Sequence, residues 1–176
     1  MEIVVIRSFL LGAAWVLVST VSFAHITLES RQAPAGSTYK AVLRVPHGCD
    51  GSPTVAIRIR IPDGVHNVKP MPKPGWTIET KKGKYARSYD AGHGNVMTEG
   101  VVELSWTGGK LPDDNYDEFV FRAGLAADLP PGKPIYFPVV AECEKGVERW
   151  IEIPANGKKL GDYRFPAAEL MIMPKP

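Results

Sequence analysis

The chain has 176 residues and a near-balanced charge, 21 Lys and Arg against 19 Asp and Glu, with 44% hydrophobic and 23% charged residues. That balance argues against nucleic acid as a partner and against a polybasic membrane-surface protein, both of which need concentrated positive charge, and the apolar content excludes a disordered chain. Sixteen Pro and seventeen Gly predict many turns and few long helices, which disfavours a helical bundle, a two-domain enzyme and a dinucleotide-binding fold.

Residues 1–24 read as an export signal. Arg7 supplies a positive start, Phe9 to Val18 an apolar run, and Ser22-Phe23-Ala24 the small residues of a cleavage site. The alternative, an uncleaved anchor, is disfavoured because the run falls short of the roughly 20 apolar residues that span a bilayer. An exported protein, periplasmic or extracytoplasmic, is therefore expected, with one domain over 25–176. Cleavage after Ala24 makes His25 the first mature residue. Its freed α-amine and its imidazole Nδ1 together close a chelate ring, and planar nitrogen sets of this kind suit Cu(II). The plainer reading is that His25 only marks the cut.

The mature chain then reads as strands separated by turns. Tyr39 to Val45 alternates through Ala41, Leu43 and Val45. In Thr54 to Ile61, Val55, Ile57, Ile59 and Ile61 share one face, with Arg58 and Arg60 on the other, the period of a half-buried antiparallel strand. Further strands are expected at Trp76–Thr80, Tyr85–Tyr89, Val101–Trp106, Phe119–Gly124, Ile135–Ala141, Arg149–Ile153 and Glu169–Met173, with Met173-Pro174-Lys175-Pro176 a frayed end. Pro62-Asp63-Gly64, Pro74-Gly75, Gly108-Gly109, Pro130-Pro131-Gly132 and Asn156-Gly157 supply turn chemistry between them. This spacing predicts an all-β, immunoglobulin-like antiparallel sandwich.

Two cysteines, Cys49 and Cys143, favour a disulfide in an exported chain; without CxxC spacing, a thiolate copper or zinc site is the weaker alternative. The bridge would carry His47, two residues before Cys49, to the hairpin that follows Cys143. If Lys145-Gly146 is a two-residue turn, Cys143 pairs with Glu148 and Ala141 with Trp150. Cys143, Glu148, Trp150 and Glu152 then share one face, and Val140, Ile151 and Ile153 form the core face. That register sets Trp150 on the polar face, as an aromatic beside a ligand site, with His47 close by. His66 and His93 are expected at the surface.

The residues Ala24-His25, Leu43-Arg44-Val45-Pro46-His47-Gly48-Cys49, Lys73-Pro74-Gly75-Trp76, Trp106-Thr107-Gly108-Gly109-Lys110-Leu111-Pro112-Asp113, Tyr116-Asp117-Glu118-Phe119 and Cys143-Glu144-Lys145-Gly146-Val147-Glu148-Arg149-Trp150 together resemble the YcnI-like family of exported copper-binding domains. The resemblance runs from His25 to about Pro154. It implies an immunoglobulin-like sandwich and Cu(II) held by the amine and imidazole of the mature N-terminal His, with a nearby Trp and an acidic residue after the Val-Pro step. His25 and Trp150 match the first two positions. At the third this chain has His47 instead, with Asp50 close in sequence. The departure suggests a brace of two histidines, His25 and His47, with Asp50, Glu142 and Glu144 in reserve for a carboxylate place.

The leading expectation is thus a non-enzymatic Cu(II) protein that buffers or hands on copper, with a membrane copper transporter or another copper chaperone as partner. Two alternatives come from other classes. One is a copper-dependent oxygenase acting on polysaccharide, which would need a flat surface of exposed aromatics. The other is a metal-free structural or adhesion sandwich, since the fold hosts such roles freely. No nucleophile elbow, His-Glu-x-x-His helix or phosphate-cradling glycine loop supports a hydrolase.

Overall fold

Period-two alternation turns most of the expected runs into strands, and their apolar faces meet in one core. A computed structural model describes residues 25–92, 94–155 and 157–175; the expected signal, residues 1–24, and His93 lie outside the described residues. The strands are β1 (Thr27–Leu28), β2 (Gln32–Pro34), β3 (Thr38–Val45), β4 (Thr54–Arg60), β5 (Val65–Pro70), β6 (Thr77–Gly92), β7 (Asn95–Leu111), β8 (Asp117–Leu125), β9 (Pro134–Phe137), β10 (Val139–Cys143), β11 (Val147–Trp150) and β12 (Ala168–Met173). The one helical element among the described residues is a single 3-10 turn, Leu160–Asp162.

Two antiparallel sheets, ordered β1-β3-β8-β5 and β11-β10-β4-β7-β6, supply the core, and a small sheet β2-β12-β9 adjoins them. The predicted inward residues Tyr39, Ala41, Leu43 and Val45 of β3 and Ile57 and Ile59 of β4 are all buried. Aromatic rings join the layers: Trp106 of β7 meets Phe119 of β8 edge-on at 5.4 Å, and Phe121 of β8 approaches Phe137 of β9 at 6.0 Å. Such pairs add favourable quadrupole contacts to their burial. The expected all-β sandwich with one disulfide is the observed architecture, the bridge joining Cys49 to Cys143.

Three details differ from the sequence reading. The runs Trp76–Thr80 and Tyr85–Tyr89 fuse into the one long strand β6, while Ile135–Ala141 divides at Pro138 into β9 and β10. The C-terminal residues are less frayed than expected, because Met173 still accepts a bond from the Ala35 N–H. The third difference concerns the hairpin that carries Trp150. Val139 pairs with Trp150, Ala141 with Glu148 and Glu142 with Val147, a shift of two residues from the expected register. The turn is a four-residue connection in which the Cys143 N–H donates to the Gly146 carbonyl at 3.0 Å. A two-residue shift keeps the same side chains together, because the period is two. The core face is nevertheless the opposite one. Val139, Ala141, Cys143 and Trp150 are buried, and Ile151 and Ile153 are exposed. The bridge draws Cys143 inward toward Cys49, and the bulky indole opposite Val139 fills the interior. Regular pairing then stops at Trp150, so Ile151 and Ile153 leave the sheet before they could form a second face.

Candidate functional site

The candidate residues collect at one end of the sandwich, where β3 runs out and the β10–β11 hairpin turns. At that end Val45 pairs with Asp117, and Pro46 and His47 leave the sheet. In the same region Thr27 of β1 pairs with Arg44 of β3.

The loop after His47 is built tightly. Asp50 and Gly51 both have positive φ, 46° and 84°, and Cys49 and Ser52 exchange both backbone hydrogen bonds at 2.8 Å. This is the mirror-image hairpin turn that Asp-Gly favours. A Cβ on Gly48 would lie 2.1 Å from the Ser52 carbonyl oxygen, so no other residue fits there without moving the loop. The loop is fastened to the β10–β11 turn by the Cys49–Cys143 bridge, by the Lys145 N–H donating to Ser52 Oγ at 2.8 Å, and by the Glu144 N–H donating to the Pro53 carbonyl at 2.9 Å. His47 is thereby held on a short, stapled segment. Its Nδ1–H donates to the Gly48 carbonyl, which leaves the lone pair of the neutral ring on Nε2.

The half-buried His25 imidazole lies 5.6 Å from the Trp150 indole, ring centre to ring centre, edge-on at 62°. Trp150 is fixed from its other side by Phe165, edge-on at 5.0 Å. Trp150 thus stands beside His25, as part of the buried core (2% exposed) and not on the polar face expected for it. Its Nε1–H is buried and makes no hydrogen bond of ordinary geometry, an uncommon condition for an indole donor.

Glu148 was not among the residues selected from the sequence. It pairs with Ala141, on the same face as Trp150 two residues on, and is half-buried. Burial raises its carboxyl above the usual carboxylate range; His47 and the Trp150 indole N–H act against that, and Asp50 and Asp113 reinforce it. Glu148 is thus within electrostatic reach of His47, Asp50, Asp113 and the Trp150 indole. The sequence signal for Glu148 is its position two residues before Trp150 on a strand, which puts both on one face.

The reserve carboxylates fare differently. Asp50 is exposed at the turn and within electrostatic reach of Glu148. Glu142 is engaged by Arg58 at 2.8 Å, and Glu144 by Lys110 at 2.7 Å, so both are turned to other partners. His66 is likewise not a plain surface residue: it is stacked on Tyr89 at 4.8 Å, far from this end of the strands. Among the described residues no three His, Cys, Asp or Glu side chains converge into a ready metal cluster.

The remaining motif residues form a brace of another kind. Lys73 donates to Asp117 Oδ1 at 2.7 Å and to the Glu118 carbonyl at 3.1 Å, with its ammonium 5.0 Å from the Phe119 ring centre. Trp76 meets the same ring edge-on at 4.9 Å, and Gly109 leaves room for that indole, since a Cβ there would lie 2.1 Å from it. The Lys-Pro-Gly-Trp, Thr-Gly-Gly-Lys and Tyr-Asp-Glu-Phe segments therefore anchor the strands to one another.

The sequence profile of a family described as a domain of unknown function, DUF1775, matches residues 25–172. No curated protein matches the chain. Among solved structures, an uncharacterized protein from Nocardia farcinica with an immunoglobulin-like fold is 24% identical, with a TM-score of 0.61 over 85% of this chain and 98% of that one. The seventh ScaB type I cohesin of Pseudobacteroides cellulosolvens is 6% identical, with a TM-score of 0.42 over 86% of this chain and 93% of that one.

Proposed function

The chain belongs to DUF1775, a family of domains of unknown function, and from that premise we propose that it is an exported Cu(II)-binding domain of the YcnI-like kind, which buffers copper or delivers it without catalysing a reaction. The observation that carries this reading is the row formed by His25, Trp150, Glu148 and His47 at one end of a rigid sandwich.

The donor set suits the ion. His25 and His47 offer imidazole nitrogens, and the α-amine released by cleavage before His25 adds a third nitrogen that chelates with the first ring. Glu148 offers a carboxylate oxygen, with Asp50 at the rim. Nitrogen-rich sets with one oxygen favour Cu(II) among divalent ions. Because the side chains do not already converge, the amine completes the site, and the His47 loop closes it. A site finished by a chain terminus and a loop takes up and releases metal readily, as a carrier requires. The partner that fits such an open end is a membrane copper transporter or another copper chaperone. Affinity falls on acidification, since protons compete for every donor.

A copper oxygenase acting on polysaccharide is the weaker reading. Trp106 is fully buried, and Trp76 packs on Phe119, so neither belongs to a flat platform for a sugar chain.

The test compares Cu(II) titrations of two proteins, one beginning at His25 and one carrying a single extra residue before it. Blocking the amine is expected to weaken binding by a hundredfold or more. Equal affinity in both forms would overturn the amine-centred site. Failure of the His25-initiated protein to retain Cu(II) at micromolar concentration would favour the metal-free structural sandwich.

A further inference from the structure

A second concavity lies at the opposite end of β3 and β8. There Thr38 pairs with Gly124, whereas Val45 pairs with Asp117 at the His47 end; seven residues of strand separate the two, roughly 23 Å. Its volume is about 640 Å³, bounded by the start of β3, β5, β8 and residues 87–90 of β6.

The concavity is made by an irregularity in β6. Lys84 pairs with Glu99 and Tyr89 with Met97, so four residues of β6 stand against one of β7. Such bulges re-aim side chains and recur beside binding sites. This one carries Arg87–Asp90 over the β5–β8 pair. It is pinned where the Gly64 N–H donates to the Tyr89 hydroxyl at 2.8 Å, and Tyr89 stacks on His66 at 4.8 Å and 13°. The other face of His66 lies on Gly124, where a Cβ would come within 2.6 Å of the ring. His66 is thus held between a tyrosine and a glycine, with a buried Nδ1 that has no hydrogen-bond partner.

The lining is polar and carries an excess of positive charge. Arg87 is ion-paired with Asp128. Asp90, Arg122 and Lys175 also line the cleft, and the Arg122 guanidinium donates to Thr38 Oγ1 at 3.3 Å. The geometry points to a second binding site in this cleft for a small multivalent oxyanion, with phosphate as the simplest example, held by Arg122 and Lys175 above His66. Guanidinium and ammonium groups supply charge-assisted hydrogen bonds to such oxygens.

The test is a two-dimensional amide NMR titration of the protein beginning at His25 with inorganic phosphate, at constant ionic strength against sodium chloride. Expected are saturable shifts at Asn67, Ser88 and Gly124 in the millimolar range, with Cys49 and Glu148 unmoved. R122Q, at an exposed position, should weaken binding at least fivefold, and K82Q, on β6 outside the cleft, should leave it unchanged. The proposal is overturned by shifts that do not saturate, by chloride or glucose producing the same shifts, or by R122Q binding as tightly as the parent. Cu(II) binding does not enter any of these readouts.

Discussion

The His25 imidazole stands edge-on to the Trp150 indole, 5.6 Å between ring centres, so an ion held by His25 lies within a few ångströms of a fixed, buried fluorophore. Cu(II) quenches nearby excited indoles. Binding is therefore expected to quench a large part of the tryptophan emission of the His25-initiated protein, and W150F is expected to bind Cu(II) with most of that quenching lost, leaving Trp76 and Trp106 emission little changed. Strong quenching in W150F would place the ion elsewhere. W150A is unsuitable as a probe, because emptying so large a buried site costs about 3–5 kcal/mol.

Glu148 is raised above the usual carboxylate range chiefly by burial. A raised folded-state value favours the folded protein below the unfolded carboxyl's value, 4.5, and that advantage is lost as pH rises through the folded value. The ionised carboxylate is thus a cost to the metal-free protein at pH 7, one that a bound cation relieves. E148Q is expected to melt at the same or higher temperature than the parent at pH 7, with the difference gone at pH 4, while binding Cu(II) at least tenfold more weakly. Calorimetric melts and a competitive chelator titration read both. Unaltered Cu(II) affinity would remove Glu148 from the donor set.

How far the residues announce this arrangement depends on what each signal measures. Alternation in β3 and β4 reports which side faces the core: Ala41, Leu43, Val45, Ile57 and Ile59 are buried as it requires, whereas Val55 is only half-buried and Thr54 and Ala56 are buried instead, where β4 is irregular against β7. In β10 and β11 both faces carry apolar residues, Val140 and Val147 on one and Val139 and Trp150 on the other, so alternation is symmetric and the choice falls to side-chain volume and the disulfide. Glu148 inherits its character from that choice: on a solvent face it would be an ordinary carboxylate, and only burial of Trp150 makes it a half-buried one. The short strands β1, β2 and β5 escaped notice because two to six residues hold too little pattern. His66 looked like a turn residue because the bulge in β6 that covers it is a tertiary event.

The bridge between Cys49 and Cys143 closes 94 residues of sequence separation, worth about 4–5 kcal/mol in the chain-entropy account. For a domain of this size that corresponds to a loss of roughly 10–20 °C in Tm. The C49S/C143S double variant is expected to show that loss. It should also keep Cu(II) bound through His25 while weakening the contribution of His47, whose loop loses the covalent part of its attachment to the β10–β11 turn.

That contribution can be read directly. H47A is expected to change the Cu(II) electron-spin spectrum, with a nitrogen removed from the coordination sphere, and to lower affinity by tenfold or more. H66A, at the far end of β3, should leave the spectrum as it is. An unchanged spectrum in H47A would return the third place to a carboxylate, with Glu148 and Asp50 the groups at hand.

His66 makes the last case, through stability. Burial lowers its value below the usual 6.5, and only Asp90 acts against this; Arg87 and Arg122 across the cleft carry the same sign as an imidazolium. With a depressed folded value, the stabilisation is complete above 6.5 and is lost as pH falls through the folded value, because the unfolded chain takes up the proton first. Glu148 acts in the opposite direction on acidification, so the comparison belongs in the E148Q background. There, Tm is expected to decline as pH falls below 6.5, and H66Q is expected to flatten that decline. A decline of equal slope with and without His66 would assign the acid sensitivity to another group.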